Sequence, residues 1–238
     1  MKFLENEESY DQSFCGREYG RKQTQFGEFD MAYSDFTLKS VSQSFGLTTT
    51  ETIDLFSSVE AISLLPAFKE YLDEYSPLGL SVGTEKARSE FIIAPILAEV
   101  RRLKNKQVSL FSGIDFTIAP EQGLNGICDY VLSLSPHQYY LVAPALMLVE
   151  AKKENISGGL GQCIAEMVAA KIFNEREGTK LERIYGAVTT GSEWKFLQLD
   201  GSTITIDSRL YYLAEVENIL GILLHILQDG YQTLALAA

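Results

Sequence analysis

The sequence predicts an α/β fold in which helices flank a mixed β-sheet. Runs of apolar residues typical of strands fill the middle of the chain, and amphipathic segments precede, separate and follow them. A helix placed between the third and fourth strand-like runs is the usual connection between two parallel strands. The chain has 238 residues, 46% hydrophobic and 22% charged, which suits one domain of this class.

The N-terminal third is predicted to be helical. Residues 1–30 are polar and show no helical or strand period, so we expect a disordered tail there. The apolar residues after Met31 recur at helical spacing and predict a helix that continues to Phe45. TTTE at 48–51 has the Thr-x-x-Glu pattern of a capping box and predicts a helix start. A short helix is predicted at 67–75.

The predicted core of the fold begins at Thr84, which is expected to cap a helix that runs to Leu103. Pro95 lacks the N–H for a hydrogen bond to residue 91, so we expect a kink or a second start there. Three strands, a helix, two or three strands and a final helix come next, and glycines 158, 159 and 161 are expected to form the turn before the middle helix. The predicted ranges are 108–118, 126–135 and 146–152 for the first strands, 160–176 for the helix, 184–191 and 194–201 for the later strands, and 209–228 for the final helix.

Composition excludes several kinds of site. Three cysteines without CxxC spacing predict reduced thiols rather than a disulfide framework. Two histidines, His137 and His225, are too few for a multi-histidine zinc site. The first residues carry no secretory signal pattern, and we expect no transmembrane helix, since the best apolar run stops at Arg101. We therefore expect a cytoplasmic protein without a membrane partner.

The net charge of −12 argues against a protein that coats nucleic acid nonspecifically, because such binding depends on neutralised phosphates. Between Lys86 and Lys106, however, the sequence is locally basic. We expect basic residues from this region, together with one after the third strand, to contact phosphates around a cleft, although a solvated helix end is an equal alternative. These residues are Arg88, Arg101, Arg102, Lys104 and Lys153.

Charged residues interrupt the apolar strands at two places. Asp129 lies within GICDYVLS, and Glu150 and Lys152 end LMLVEAKK. Because side chains alternate along a strand, Glu150 and Lys152 share a face, about 6.5–7 Å apart. Gln162 is placed on the first turn of the next helix, and Glu90 lies in the helix before the sheet. Each feature alone is common in proteins, and the ordered set is far more specific.

This ordered set resembles the PD-(D/E)XK nuclease superfamily, which has the restriction-endonuclease-like fold. The resemblance covers about residues 84–200 of a single domain at 31–238 with an N-terminal helical extension. The wider sequence is similar to a family of uncharacterised small bacterial proteins assigned to this fold. The family's proline before the aspartate is Cys128 in this chain.

The resemblance implies roles for five residues. Asp129 and Glu150 would hold Mg²⁺, for which Mn²⁺ can substitute, and Glu90 would be an auxiliary acid at the metal. Lys152 would position or activate the attacking water, and Gln162 would support the site. Hard oxygen ligands suit Mg²⁺, and a bound cation neutralises charge on a scissile phosphate.

Two functions remain open at this point. The first is a Mg²⁺-dependent nuclease that hydrolyses phosphodiester bonds of DNA or RNA by means of a metal-activated water. The second is a nuclease-like module with little or no turnover that binds nucleic acid or protein. The complete acidic and basic set favours the first function. The net charge favours the second, or a nuclease that acts as a homodimer or with a basic protein partner.

Overall fold

The computed structural model describes residues 31–237, which form one mixed sheet with helices on both faces. The expected tail at 1–30 lies outside the described residues. The strands are β1 Thr48–Thr50, β2 Ser109–Asp115, β3 Ile127–Ser133, β4 Ala145–Ala151, β5 Arg183–Thr189, β6 Glu193–Asp200, β7 Thr203–Ile206 and β8 Tyr211–Tyr212. The α-helices are α1 Leu38–Ser44, α2 Pro66–Val82, α3 Glu85–Arg88, α4 Ala94–Leu103, α5 Ile156–Arg176 and α6 Val216–Ala237.

The sheet is open, with strand order β1-β7-β6-β5-β4-β3-β2, and β8 pairs with β6 beside β7. β4 and β5 are parallel and α5 connects them, which confirms the predicted crossover. β1 and β7 are also parallel, with Thr48 opposite Thr203. The predicted helix start at 48–51 is therefore wrong. These β-branched threonines favour a strand, and they form an edge strand that pairs with β7.

The helix before the sheet is interrupted at the expected place. Thr84 caps α3, its hydroxyl accepting a hydrogen bond from the Ala87 N–H at 3.1 Å. A π-helical segment, Ser89–Ile93, then joins α3 to α4 immediately before Pro95. The Ala94 N–H donates to the Ser89 carbonyl, five residues back, as in a π-helix. The wider turn accommodates Pro95, which has no N–H to donate.

The middle helix begins earlier than the sequence predicts. α5 starts at Ile156, with Asn155 as its cap, so glycines 158, 159 and 161 lie inside the helix rather than in the preceding turn. A Cβ at Gly159 would lie 2.7 Å from Val188 Cγ1, and one at Gly161 would overlap the Phe36 carbonyl oxygen. These glycines therefore permit close packing of α5 against β5 and against the segment before α1.

The other helix boundaries also move. α2 extends to Val82, and the final helix begins at Val216 and continues to Ala237. The segment Leu213–Leu236 has a mean hydropathy of 1.2 and is by length and composition alone sufficient to cross a membrane. Its apolar residues, however, enter the core as those of a buried helix do, including Ile219, Leu220, Leu223, Ile226 and Leu227.

Gly161→Ala tests the packing of α5 on the N-terminal segment. In an unconstrained helix this change stabilises by roughly 0.5–1 kcal/mol because alanine is the better helix former. Here the added Cβ meets the backbone of Phe36 and Thr37, so we expect destabilisation on the order of 1–3 kcal/mol. Thermal unfolding measures the sign, with exposed Ser157→Ala in the same helix as the neutral control. A rise in Tm for Gly161→Ala would contradict this packing.

Candidate active site

A fork opens between two central strands. The antiparallel pairing of β3 and β4 ends at Tyr130 opposite Val149. Beyond that pair the Ala151 N–H donates to Asp129 Oδ2 at 2.8 Å, while the Lys152 N–H donates to the Thr189 carbonyl of β5 at 2.8 Å. The Asp129 carboxylate thus takes the place of strand backbone, and the site lies at the carboxyl end of β4.

A hydrogen-bonded chain connects the fork to α5. Lys152 Nζ lies 2.5 Å from Glu150 Oε1 and donates to Gln162 Oε1 at 3.1 Å. Gln162 Nε2 donates to Glu166 Oε1 at 3.2 Å. The structure therefore brings Glu150, Lys152 and Gln162 together as the sequence predicts, although Gln162 lies on the second turn of α5 and not on the first.

Two oxygens of this chain lack partners. Glu150 is 2% exposed and Glu166 is 0% exposed, yet the Oε2 atom of each has no hydrogen-bond partner. Burial raises the pKa of Glu150 to about 7, and the nearby Asp129 carboxylate adds to this shift. Burial and then the Glu150 charge raise the pKa of Glu166 well above its usual range. Two buried carboxylates in this arrangement require a proton or a cation.

The pKa values of Asp129 and Lys152 are each set by opposing effects. Burial raises the pKa of Asp129, although the Ala151 N–H and the Lys152 ammonium oppose the change. Burial acts to lower the pKa of Lys152, but its hydrogen bond to Glu150 outweighs this effect and the net direction is upward. Lys152 is accordingly an ammonium at neutral pH, which supports charge stabilisation or positioning rather than proton abstraction.

Glu90 is not brought to the two predicted metal ligands. It lies in the π-helical segment, its side chain is 56% exposed, and it pairs with Lys86 at 3.5 Å. Within residues 31–237, no hydrogen bond joins Glu90 to Asp129 or Glu150, and no three acidic, cysteine or histidine side chains form a ready metal-binding group. The neighbouring Ser89 hydroxyl, in contrast, hydrogen-bonds the Tyr130 hydroxyl, which ties this segment to β3 beside Asp129.

Only part of the predicted basic set lies near the fork. Arg88 Nη1 donates to the Thr190 carbonyl at 2.8 Å, just after β5, so this guanidinium ties α3 to the sheet. Lys153 follows Lys152 and pairs with Glu154 at 3.5 Å on the surface. Both residues are at the carboxyl end of β4 and β5.

The remaining basic residues lie at the opposite end of the sheet. α4 leads into β2, whose Ser109 pairs with Ser133 at the far end of β3. That point is about 17 Å along the strand from Glu150, since five residue steps of about 3.3 Å separate Glu150 from Ala145, the partner of Ser133. The structure therefore places Arg101, Arg102 and Lys104 away from the fork, because the helix that carries them leads to the other end of the sheet.

Glu166 is the residue that the predicted set omits. It is fully buried and touches the site through Gln162, four residues earlier on the same helix. That spacing places two side chains on one helix face, which is the only sequence signal for it. Its burial depends on how α5 packs on β4 and β5 and is not visible in the sequence.

Comparison with known proteins gives one distant relative. No protein family profile matches the chain, and no solved structure gives a significant match. The chain is similar to Crinkler effector protein 1 of Rhizophagus irregularis, with 23% identity over 190 residues. The alignment covers 70% of this chain and 37% of that protein, so the chain spans well under half of its relative's length.

The buried carboxylates predict how stability depends on pH in the metal-free protein. Glu150 and Glu166 have raised pKa values when folded, so between about pH 4.5 and 7 the native state binds more protons than the unfolded state. Stability therefore falls as pH rises through this window. Glu166→Gln removes one of the two charges and should make the fall in Tm between pH 5 and 8 smaller.

The control for this prediction is Glu175→Gln, an exposed glutamate on the same helix. Its pH dependence should match that of the unchanged protein, with chelator present throughout. If Tm falls with pH as steeply in Glu166→Gln as in the unchanged protein, the buried glutamates do not set the pH dependence of stability.

Proposed function

We propose that the protein is a nuclease of the PD-(D/E)XK superfamily with a restriction-endonuclease-like core, which hydrolyses phosphodiester bonds of DNA or RNA with the aid of Mg²⁺. The observation that carries this proposal is the fork between β3 and β4. There the Asp129 and Glu150 carboxylates lie beside the Lys152 ammonium at the end of a buried strand. Such a buried cluster is costly for folding unless it serves a ligand or a reaction.

The donor set fits a hard divalent cation. Glu150 Oε2 is buried without a hydrogen-bond partner, and Asp129 supplies a second carboxylate at the same fork. Mg²⁺ in nuclease-type sites is held by one or two carboxylates together with water and substrate phosphate, so two protein ligands suffice. When bound, such a cation neutralises phosphate charge and lowers the pKa of an attacking water.

Other side chains near the fork would position the substrate phosphate and stabilise its charge. The Lys152 ammonium is held between Glu150 and Gln162 and would stabilise the charge that develops on a phosphate. Gln162 transmits the position of α5 to that ammonium. Glu166 lies behind Gln162 and adds negative potential to the cation site. Glu90 would act as an auxiliary acid only after the exposed side chain turns toward the fork.

A cytoplasmic location agrees with this proposal. The two cysteines in the described part of the chain, Cys128 and Cys163, are buried free thiols, as expected in a reducing compartment. Burial raises the pKa of both thiols above the usual range, so neither is a reactive thiolate.

Substitutions at the fork test the activity. Asp129→Asn and Glu150→Gln keep side-chain volume and remove ligand charge, so cleavage with Mg²⁺ should fall to background. Lys152→Ala should lower cleavage by a factor on the order of 10²–10³, the value of one transition-state donor. Double variants should lose little more than single ones because the residues act as a unit. The assay measures cleavage of single-stranded, duplex and branched DNA and of RNA, with Mg²⁺ or Mn²⁺ and with chelator.

Lys39→Ala and Glu175→Gln are the controls, since both side chains are exposed and lie on α1 and on the later part of α5 rather than at the fork. Both should cleave like the unchanged protein. If the unchanged protein cleaves none of these substrates with either metal, the nuclease proposal fails. Metal-independent binding of the same substrates would then favour the nuclease-like binding module.

A further inference from the structure

A basic and aromatic surface lies at the end of the sheet opposite the fork. We call it the distal patch, formed by Lys104 and Lys106 after α4, by Tyr139 and Tyr140 between β3 and β4, and by Tyr231 near the end of α6. The Lys104 ammonium lies 5.6 Å from the centre of the Tyr231 ring. A groove of about 370 Å³ runs between these elements, with Pro136 of the β3–β4 loop on its other side. Pro136 in the groove and the hydrogen bonds of Gln138 to Leu110 thus place the loop that carries Tyr139 and Tyr140 beside the turn after α4.

Positive charge on the distal patch is largely uncompensated. Arg101, Arg102, Lys104 and Lys106 fall within six residues of a chain whose net charge is −12. The nearest acid in sequence, Glu99, is already bound by Arg102 at 2.6 and 2.7 Å. In the described residues, Lys104 Nζ has only a long hydrogen bond of 3.4 Å to Gln228. The lysines are therefore available to an anionic ligand.

The turn that presents the lysines is strained. Asn105 and Lys106 have φ values of 52° and 59°, in the left-handed region that residues other than glycine seldom adopt. The Lys106 N–H donates to the Arg101 carbonyl at 2.9 Å, which holds the turn in place. A lysine kept in such a conformation where asparagine or glycine fits better points to a role for its side chain.

The aromatic side chains of the distal patch are exposed on a loop whose backbone is anchored. The Tyr139 side chain is fully accessible, and the Tyr140 ring stacks on His137 with centroids 5.9 Å apart. The loop does not move freely, because Gln138 forms two hydrogen bonds with the backbone of Leu110, at 3.3 and 2.6 Å. Exposed rings on an anchored loop provide planar surfaces at low entropic cost.

We propose that the distal patch binds single-stranded nucleic acid, with phosphates on Lys104 and Lys106 and bases stacked on Tyr139 and Tyr140. Cationic side chains with interleaved aromatic rings are the usual means of holding single strands, whereas paired bases in a duplex cannot stack on a side chain. The role assigned to the patch, delivery of a single strand to the fork, rests on the proposed function.

Fluorescence anisotropy with a labelled oligothymidylate of twenty nucleotides tests this inference, with chelator present so that nothing is cleaved. Lys104→Gln with Lys106→Asn removes two charges, and asparagine tolerates the left-handed backbone. The slope of log affinity against log salt should fall by about 1.4, since each single-strand phosphate contact contributes about 0.7. Tyr139→Ala should weaken binding about fivefold or more without a change of slope.

Lys39→Gln with Lys69→Gln, which removes two exposed charges elsewhere, is the control and should leave both quantities unchanged. Tyr139 contacts solvent only, so its variant tests the patch even if the lysine variant folds poorly. Equal binding by patch and control variants, or equal affinity for duplex and single strands, would overturn the inference while nuclease activity stands. Patch-dependent binding by a protein that cleaves nothing would reject the proposed function and keep the binding site.

Discussion

Three carboxylates and one ammonium meet inside the fork between β3 and β4, and the rest of the structure is arranged around them. Asp129, Glu150 and Glu166 are removed from most of the solvent, and Lys152 is the only cation bonded to them among the described residues. Their charges are tolerated because Gln162 and the Ala151 N–H supply hydrogen bonds. Apolar residues of similar volume are often at least as stable as buried charges, which is why we propose that this cluster binds a ligand.

The architecture holds this cluster from two sides. β4 is buried along its whole length at the centre of the sheet, which fixes Glu150 against β5. α5 reaches the cluster closely because Gly159 and Gly161 have no side chains, and the segment before α1 packs on the same turn. The segment that precedes α1 therefore packs against the helix that carries Gln162 and supports its position. The glycines of α5 thus allow Gln162 to reach the polar groups of the fork.

Much of this arrangement was predictable from the sequence. Alternation of side chains placed Glu150 and Lys152 on one face, and the helix between the strands predicted the parallel pair of β4 and β5. The start of α5 was not predictable, because glycines signal a turn and a close contact equally well. The direction of α4, and with it the position of Arg101 and Lys104, depends on tertiary packing that local patterns do not record. The burial of Glu166 is unpredictable for the same reason.

If the buried carboxylates hold a divalent cation, binding of that cation should release the protons that they carry in the metal-free protein. Isothermal titration of Mg²⁺ into the protein at pH 7, in two buffers of different ionisation enthalpy, measures affinity and protons released together. We expect one site whose binding of Mg²⁺ releases protons held by Glu150 and Glu166, and we expect both the binding and the proton release to be lost in Glu150→Gln. Absence of binding, or binding that is unchanged in Glu150→Gln and releases no proton, would contradict this expectation.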